Sequence, residues 1–335
     1  MMGARLAVLS LAMVGLTFWG AGSTARAQIV EVGNGGPGPV KAEHLTAELT
    51  TLSPQIAVGG TLQAGLVLTI EEHWHVYWIN AGDSGEPPAI KWTLPDGITA
   101  GPMQFPPPTR LPLGPLMDFG YEDGVAFPVM LTAAPGMKPG KVHLDAHVNW
   151  LVCSSVCLPG KAHLGIDVDV VPGPLAAPEP VGALGSAMAA LPKPLPATMS
   201  ASAVGDAKQI LVTLKTGTKE TDAAFYPYLE DICDAKGACQ PESVIENAAE
   251  QPVESQPDGI KIWLKRAADA TALPKTLHGL VELSSTEAYD FTVPVTPGTV
   301  PPLPRTANKT PDTSNGPDLN AFSAIGLAFL GGLLV

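Results

Sequence analysis

Cys153 and Cys157, with three residues between them in "NWLVCSSVCLPG" (149–160), are two of the chain's four cysteines. Two thiols at that spacing can serve one of three chemistries: a structural disulfide, a metal clamp, or electron transfer by thiol–disulfide exchange. The sequence around them weighs these against one another.

Before the pair, Val142, Leu144, Ala146, Val148, Trp150 and Val152 alternate with His143, Asp145, His147 and Asn149, with Leu151 the exception. After it, Ala162, Leu164, Ile166, Val168 and Val170 alternate with polar residues including Lys161, His163, Asp167 and Asp169. A period of two on both sides predicts two half-buried strands joined as a hairpin. "CSSVCLPG" is its connecting loop, with turn chemistry from Pro159-Gly160.

In an extended chain the two cysteine Cα atoms lie roughly 13 Å apart, at ~3.3 Å per residue. A disulfide needs about 4.4–6.8 Å. Ser154, Ser155 and Val156 must therefore turn the chain back, into something like one helical turn. A bridge closing so small a loop restricts the unfolded chain little. At an exposed tip its sulfur is open to exchange, so redox work is the favoured reading. A structural disulfide remains an alternative, as does a metal clamp drawing on His143, His147 or His163. His147, six residues before Cys153, is too far along a strand to converge with the thiols unaided.

Residues 1–27 have the form of a secretory signal: Arg5, an apolar core, and "ARA" before Gln28. Export would place the chain where disulfides can form. Losing Arg5 and Arg26 takes 19 basic residues to 17 against 32 acidic ones, a net charge of −15. That charge argues against nucleic acid and gives no help in binding anionic lipid. At the other end "NAFSAIGLAFLGGLLV" is long enough to enter a bilayer but short of the roughly 20 residues that span one. We read 319–335 as the start of a transmembrane helix of a longer protein, with a short C-terminal anchor as the alternative.

The chain holds 35 Gly and 35 Pro among short alternating apolar runs, which predicts an all-β protein built of sandwiches. The expected organisation is a first β-sandwich over 40–172 carrying the cysteine loop, a Pro/Ala-rich linker over 173–199 with one short helix, and a second β-sandwich over 200–297. A Pro-rich tether, 298–318, leads to the membrane segment.

The string strand–"WLVCSSVCLPG"–strand resembles the periplasmic N-terminal region of transmembrane thiol:disulfide interchange proteins of the DsbD and ScsB type. "HWHVYWINAGDSGEPP" (73–88), "DFGYEDGVAFPV" (118–129), and "FYP" with "VIENAAEQP" (225–252) fit the same resemblance, as does the terminal "GLAFLGGLLV". The resemblance implies immunoglobulin-like sandwiches and a protein-disulfide reductase anchored to the bacterial inner membrane. It implies that a membrane electron-transfer domain of the same chain supplies reducing equivalents and that exported thioredoxin-like or other disulfide-bearing proteins receive them. No dissociable cofactor is implied, and no metal. By position Cys153 and Cys157 match the family's pair, with Cys157 attacking and Cys153 resolving; better-known members have five residues between their cysteines. A loop that caps the pair is also implied, with Asp83, Ser84, Phe119 and Tyr121 as candidates.

Cys233 and Cys239, in "CDAKGAC", do have five residues between them. Their flanks lack alternation, so no hairpin is expected, and a local structural disulfide is the reading. His73 and His75 fall two apart on an expected strand face with Tyr77, where a plain aromatic strand outweighs copper ligation. The alternative function, from a different class, is a non-catalytic binding or copper-tolerance module with structural disulfides or a metal site. Clients from cytochrome c biogenesis, disulfide isomerisation or peroxide reduction are equally open.

Overall fold

The computed structural model describes residues 30–233, 239–270, 272–284 and 287–303. The signal (1–27), most of the tether and the apolar C-terminal segment (319–335) lie outside the described residues. Among the described residues no helix is long and apolar enough to cross a membrane.

Short alternating runs become strands throughout. The first unit contains β1 (Glu31–Val32), β2 (Val40–Lys41), β3 (Leu45–Thr51), β4 (Gln55–Ala57), β5 (Thr61–Ile70), β6 (His75–Gly82) and β7 (Ala89–Thr93). It continues with β8 (Ile98–Ala100), β9 (Thr109–Leu113), β10 (Leu116–Glu122), β11 (Gly124–Ala133), β12 (Gly140–Cys153) and β13 (Cys157–Val171). One sheet runs β1-β13-β12-β6-β10-β9, with β4 added to β13 and β7 to β12. The other runs β2-β3-β5-β11-β8. The inward residues of both, among them Leu66, Leu68, Phe127, Leu144, Val148 and Leu164, are almost fully buried between them. Each such side chain contributes ~1.5–3 kcal/mol on leaving water.

Helix α1 (Gly182–Ala190) lies against β5 and β11. Gly65 makes the close approach possible: a Cβ there would stand 2.7 Å from Leu184 Cδ1.

The second unit contains β14 (Lys193–Pro194), β15 (Ser200–Gly205), β16 (Gln209–Lys215), β17 (Ala223–Pro227), β18 (Glu230–Cys233) and β19 (Cys239–Glu242). After these come β20 (Val253–Gln256), β21 (Gly259–Lys265), β22 (Thr276–Leu283) and β23 (Ala288–Pro297). Strand β23 joins its two halves into one path, β17-β22-β23-β15-β16-β21-β20, pairing with β22 through Ala288–Pro294 and with β15 through Val295–Pro297, while β18 and β19 pair separately. The molecule is thus all-β, with immunoglobulin-like sandwich architecture.

The two units are packed together. Tyr226 stands edge-on to Phe119 and Trp78, at centroid distances of 5.4 and 6.1 Å. Asn80 Nδ2 donates to Pro227 O at 2.7 Å, and Arg110 Nη2 donates to Asn247 O at 2.7 Å and Ala249 O at 3.1 Å.

Candidate active site at the cysteine hairpin

Strands β12 and β13 pair without interruption from Gly140↔Val170 to Cys153↔Cys157. The cysteines are the last rung of the ladder, bonded to each other with Cα atoms 4.1 Å apart. The turn is not helical, as the sequence had suggested. Ser154 N donates to Val156 O at 3.0 Å, and three residues reverse the chain within the hairpin itself. Opposed residues of an antiparallel pair already lie near disulfide distance, so no helical turn is needed.

The pleat then separates two environments. Val148, Trp150 and Val152 enter the sandwich core, so Cys153 points to the outer face of the sheet. There it packs with Tyr77, Ala81 and Leu151. Leu151, the exception in the alternation, belongs to this small apolar cluster. Cys153 is 1% exposed, whereas Cys157 is exposed to solvent. One sulfur is thus sealed and the other presented.

The seal comes from β6, whose His75 pairs directly with Cys153. His75, Val76, Tyr77 and Trp78 are all buried, because one face of β6 enters the core and the other is covered as well. His73 is not on this strand. It sits in the preceding turn at φ 68°, largely exposed, so the expected His73/His75/Tyr77 face does not form.

Tyr77 Oη lies 3.8 Å from Cys157 Sγ and 3.3 Å from His75 Nε2. Burial, reinforced by the charge of Asp118, pushes the Tyr77 phenol up to about 12. It therefore remains a proton donor at neutral pH. Burial lowers His75, against the opposing pull of Asp118 and Glu122, and so favours its neutral form.

The loop after β6 covers Tyr77. A Cβ at Gly85, whose φ is +87°, would stand 2.2 Å from Tyr77 Cζ, so the backbone rests on the ring. Ser84 donates its N–H (2.9 Å) and hydroxyl (2.8 Å) to the fully buried Asp118 carboxylate. Burial raises the pKa of Asp118, and the two Ser84 bonds oppose that rise. Asp83 Oδ2 accepts from Met117 N at 2.7 Å, and its Oδ1 accepts from Asn247 Nδ2 at 2.9 Å. Asp83 and Ser84, read as cap residues, thus anchor a loop over Tyr77.

Phe119 and Tyr121, read as further cap candidates, lie elsewhere. Phe119 is in the core beneath Tyr226, and Tyr121 packs on Phe127 and donates its hydroxyl to Pro106 O at 2.7 Å. The reason is that β10 is an interior strand covered on both faces. Sequence reasoning weighed His75 and Tyr77 only as an aromatic strand or copper ligands, and it did not single out Asp118. The signal for the first two was a polar-tipped face, His75 and Tyr77, opposite the apolar face of Val76 and Trp78.

For the second pair, β18 and β19 form a two-stranded hairpin in which Cys233 pairs with Cys239. This corrects the expectation that no hairpin is present there. Strands of four residues are too short to display alternation.

The family model for the N-terminal domain of thiol:disulfide interchange protein DsbD matches residues 43–167. No curated protein sequence matches the chain. Among solved structures, the N-terminal periplasmic domain of ScsB from Proteus mirabilis superposes with a TM-score of 0.56 at 17% identity, over 78% of this chain and 98% of that one. At that identity the likeness is one of fold. The periplasmic chaperone SfaE gives a TM-score of 0.20 at 7% identity, over 75% of this chain and 100% of that one. The fimbrial adhesin FimA of Actinomyces gives 0.19 at 8%, over 76% and 98%. Neither of these two bears on the fold.

Proposed function

We propose that residues 43–167, which the family model for the N-terminal domain of thiol:disulfide interchange protein DsbD matches, form a domain of that type, and that the chain is a periplasmic disulfide-reductase module working through Cys153 and Cys157. The observation that supports it best is the asymmetry of the pair: Cys157 is exposed and Cys153 is 1% exposed. An exchange partner reaches one sulfur only.

In the reduced module the Cys157 thiolate attacks a client disulfide. A mixed disulfide forms, and the client's leaving sulfur takes up a proton. Cys153, losing its proton, then attacks Cys157 Sγ and expels the second client thiol. The client gains two electrons and two protons, and the module's dithiol becomes a disulfide. A dithiol of the membrane electron-transfer domain of the same chain reverses the change by the same two displacements. Tyr77 donates from its phenol toward the Cys157 thiolate, a charge-assisted contact that favours the ionised sulfur.

Clients are exported thioredoxin-like or other disulfide-bearing proteins, and the anchoring segment is 319–335 of the inner-membrane protein. Asp83 and Ser84 hold the covering loop, and the Cys233/Cys239 pair is structural.

The test equilibrates residues 28–316 across glutathione redox buffers, alkylates free thiols and maps them by mass spectrometry. The expected outcome is a 153/157 couple that titrates in the range of exchange proteins, with Cys153→Ala trapping a mixed disulfide through Cys157. If the 153/157 bond resists reduction until the chain unfolds, the electron-relay function is lost.

A further inference from the structure

On the outer face of the same hairpin, well away from the cysteines, three of the chain's seven histidines gather around one carboxylate. His163 Nε2 lies 2.7 Å from Asp145 Oδ2, His147 Nε2 lies 3.9 Å from Asp145 Oδ1, and His143 Nε2 lies 4.0 Å from Asp145 Oδ2. The strands dictate this. Asp145 and His147 are alternate outward residues of β12, and the register sets His163 of β13 directly opposite His147, their rings stacked at 4.3 Å.

The outer nitrogens are also engaged. His147 Nδ1 lies 2.7 Å from Glu31 Oε1, and His143 Nδ1 lies 2.8 Å from Asp167 Oδ1. A carboxylate can only accept, so in each ring Nδ1 carries the proton. In a neutral imidazole Nε2 then presents a lone pair, and it presents it to the Asp145 carboxylate. Two acceptors facing each other at about 4 Å make no hydrogen bond, and a cation between them would satisfy both. His163 Nε2, 2.7 Å from Asp145 Oδ2, donates its proton to that oxygen by the same rule, and a metal ion would take the place of that proton. A carboxylate holding Nδ1–H while Nε2 faces inward is the arrangement that orients histidine ligands at metal centres.

We infer that Asp145, His147 and His163 form a site for a borderline divalent ion of the zinc class, with Glu31 orienting His147 and His143 flanking the open side. The ligand atoms of the three residues lie within 4.8 Å of one another. A tetrahedral ion with bonds of ~2.1 Å needs ligand edges of about 3.4 Å, so small side-chain rotations suffice. Mixed imidazole and carboxylate ligands suit zinc, copper or nickel better than calcium or magnesium.

The N-terminal segment closes one side of the site. Strand β1 runs parallel to β13 and delivers Glu31, and Gly35 lies so close that a Cβ would stand 2.7 Å from His163 Nε2 and 2.9 Å from Asp145 Oδ2. The three residues are only partly exposed, at 22–44% of their side-chain surface. This site is separate from the cysteine pair and does not depend on its redox state.

The test is calorimetric titration of the tag-free, chelator-treated chain with Zn2+, repeated with Cu2+, and X-ray absorption on the loaded protein. One equivalent is expected to bind, with nitrogen and oxygen neighbours and no sulfur. Binding should fall at least tenfold in His147→Gln, His163→Gln and Asp145→Asn, and roughly tenfold in Glu31→Gln, as for other orienting carboxylates. It should be unchanged in Cys153→Ser/Cys157→Ser. His147 is half-exposed, so His147→Gln tests the site even where a more buried variant unfolds. The inference is overturned if no saturable equivalent binds, if binding survives His147→Gln and His163→Gln together, or if it disappears with the cysteines.

Discussion

Asp83 Oδ1 in the loop over Tyr77 accepts a hydrogen bond from Asn247 Nδ2 at 2.9 Å, across 164 residues of sequence. The second sandwich therefore holds the loop that covers the candidate active site of the first. Arg110 strengthens the connection by donating to Asn247 O and Ala249 O, which fixes the segment that carries Asn247. Replacing Asn247 with Ala removes the loop's contact and leaves Asp83 bonded to Met117 N. Amide exchange at residues 83–85 should rise about threefold or more, with a stability loss of about 1 kcal/mol, as for one hydrogen bond. Mass-spectrometric hydrogen exchange reads this directly. Unchanged protection there means that the second unit does not restrain the loop.

Gly85 has two reasons to be glycine: a φ of +87° and the Tyr77 ring 2.2 Å from where a Cβ would lie. Gly85→Ala combines backbone strain with a clash against a buried ring. We expect a loss of ~1–3 kcal/mol and a displaced loop. Thermal melting gives the first, and a changed near-ultraviolet signal from Tyr77 gives the second. A variant as stable as the parent would show that the loop does not rest on the ring.

Tyr77→Phe keeps the ring and removes the hydroxyl 3.8 Å from Cys157 Sγ. The contact is long, as sulfur contacts are, so its effect is modest. Alkylation of the reduced Cys157 at neutral pH should slow by roughly twofold or more, because a donor that favours the ionised sulfur is lost. The rate of alkylation of the reduced protein against pH measures it. An unshifted profile removes Tyr77 from thiolate stabilisation and leaves it as packing for Cys153.

The hairpin is legible in the sequence because its two strands each bury one face, and alternation survives only under that condition. Residues 142–152 and 162–170 meet it, so their pairing and the seat of the cysteines follow. The strand His75–Gly82 does not meet it, since the cysteine hairpin and the loop at Gly85 cover its second face. That is why Tyr77 and His75 read as an ordinary aromatic strand. Phe119 and Tyr121 were misplaced for the same reason, on a strand buried through Asp118–Tyr121. Asp118 is a further case. Its partner Ser84 is 34 residues away, and nothing local signals that a carboxylate belongs there. The Asp145 cluster depends on register, which sets His147 opposite His163, and on β1, a two-residue strand too short to be predicted.

Asp118 gives the protein a pH dependence with a definite sign. Its carboxyl is fully buried, and burial raises its folded pKa above the ordinary 3.8, with the two Ser84 bonds only opposing the rise. A raised folded pKa means that the folded state holds the proton more tightly than the unfolded chain. The stability gained from that proton is complete below pH 3.8. It is lost as pH rises through the folded value, because the unfolded chain then gains more by ionising. Asp118→Asn keeps the shape and the acceptor oxygen for Ser84 N while removing the titration. The difference in unfolding free energy between Asp118→Asn and the parent should therefore change in the variant's favour as pH rises from 3.8, then level off above the folded pKa. Urea denaturation at a series of pH values measures that difference. A difference that stays flat over this range, or runs in the parent's favour, would mean that the Ser84 bonds outweigh burial and that Asp118 sits in the fold as a stabilised carboxylate.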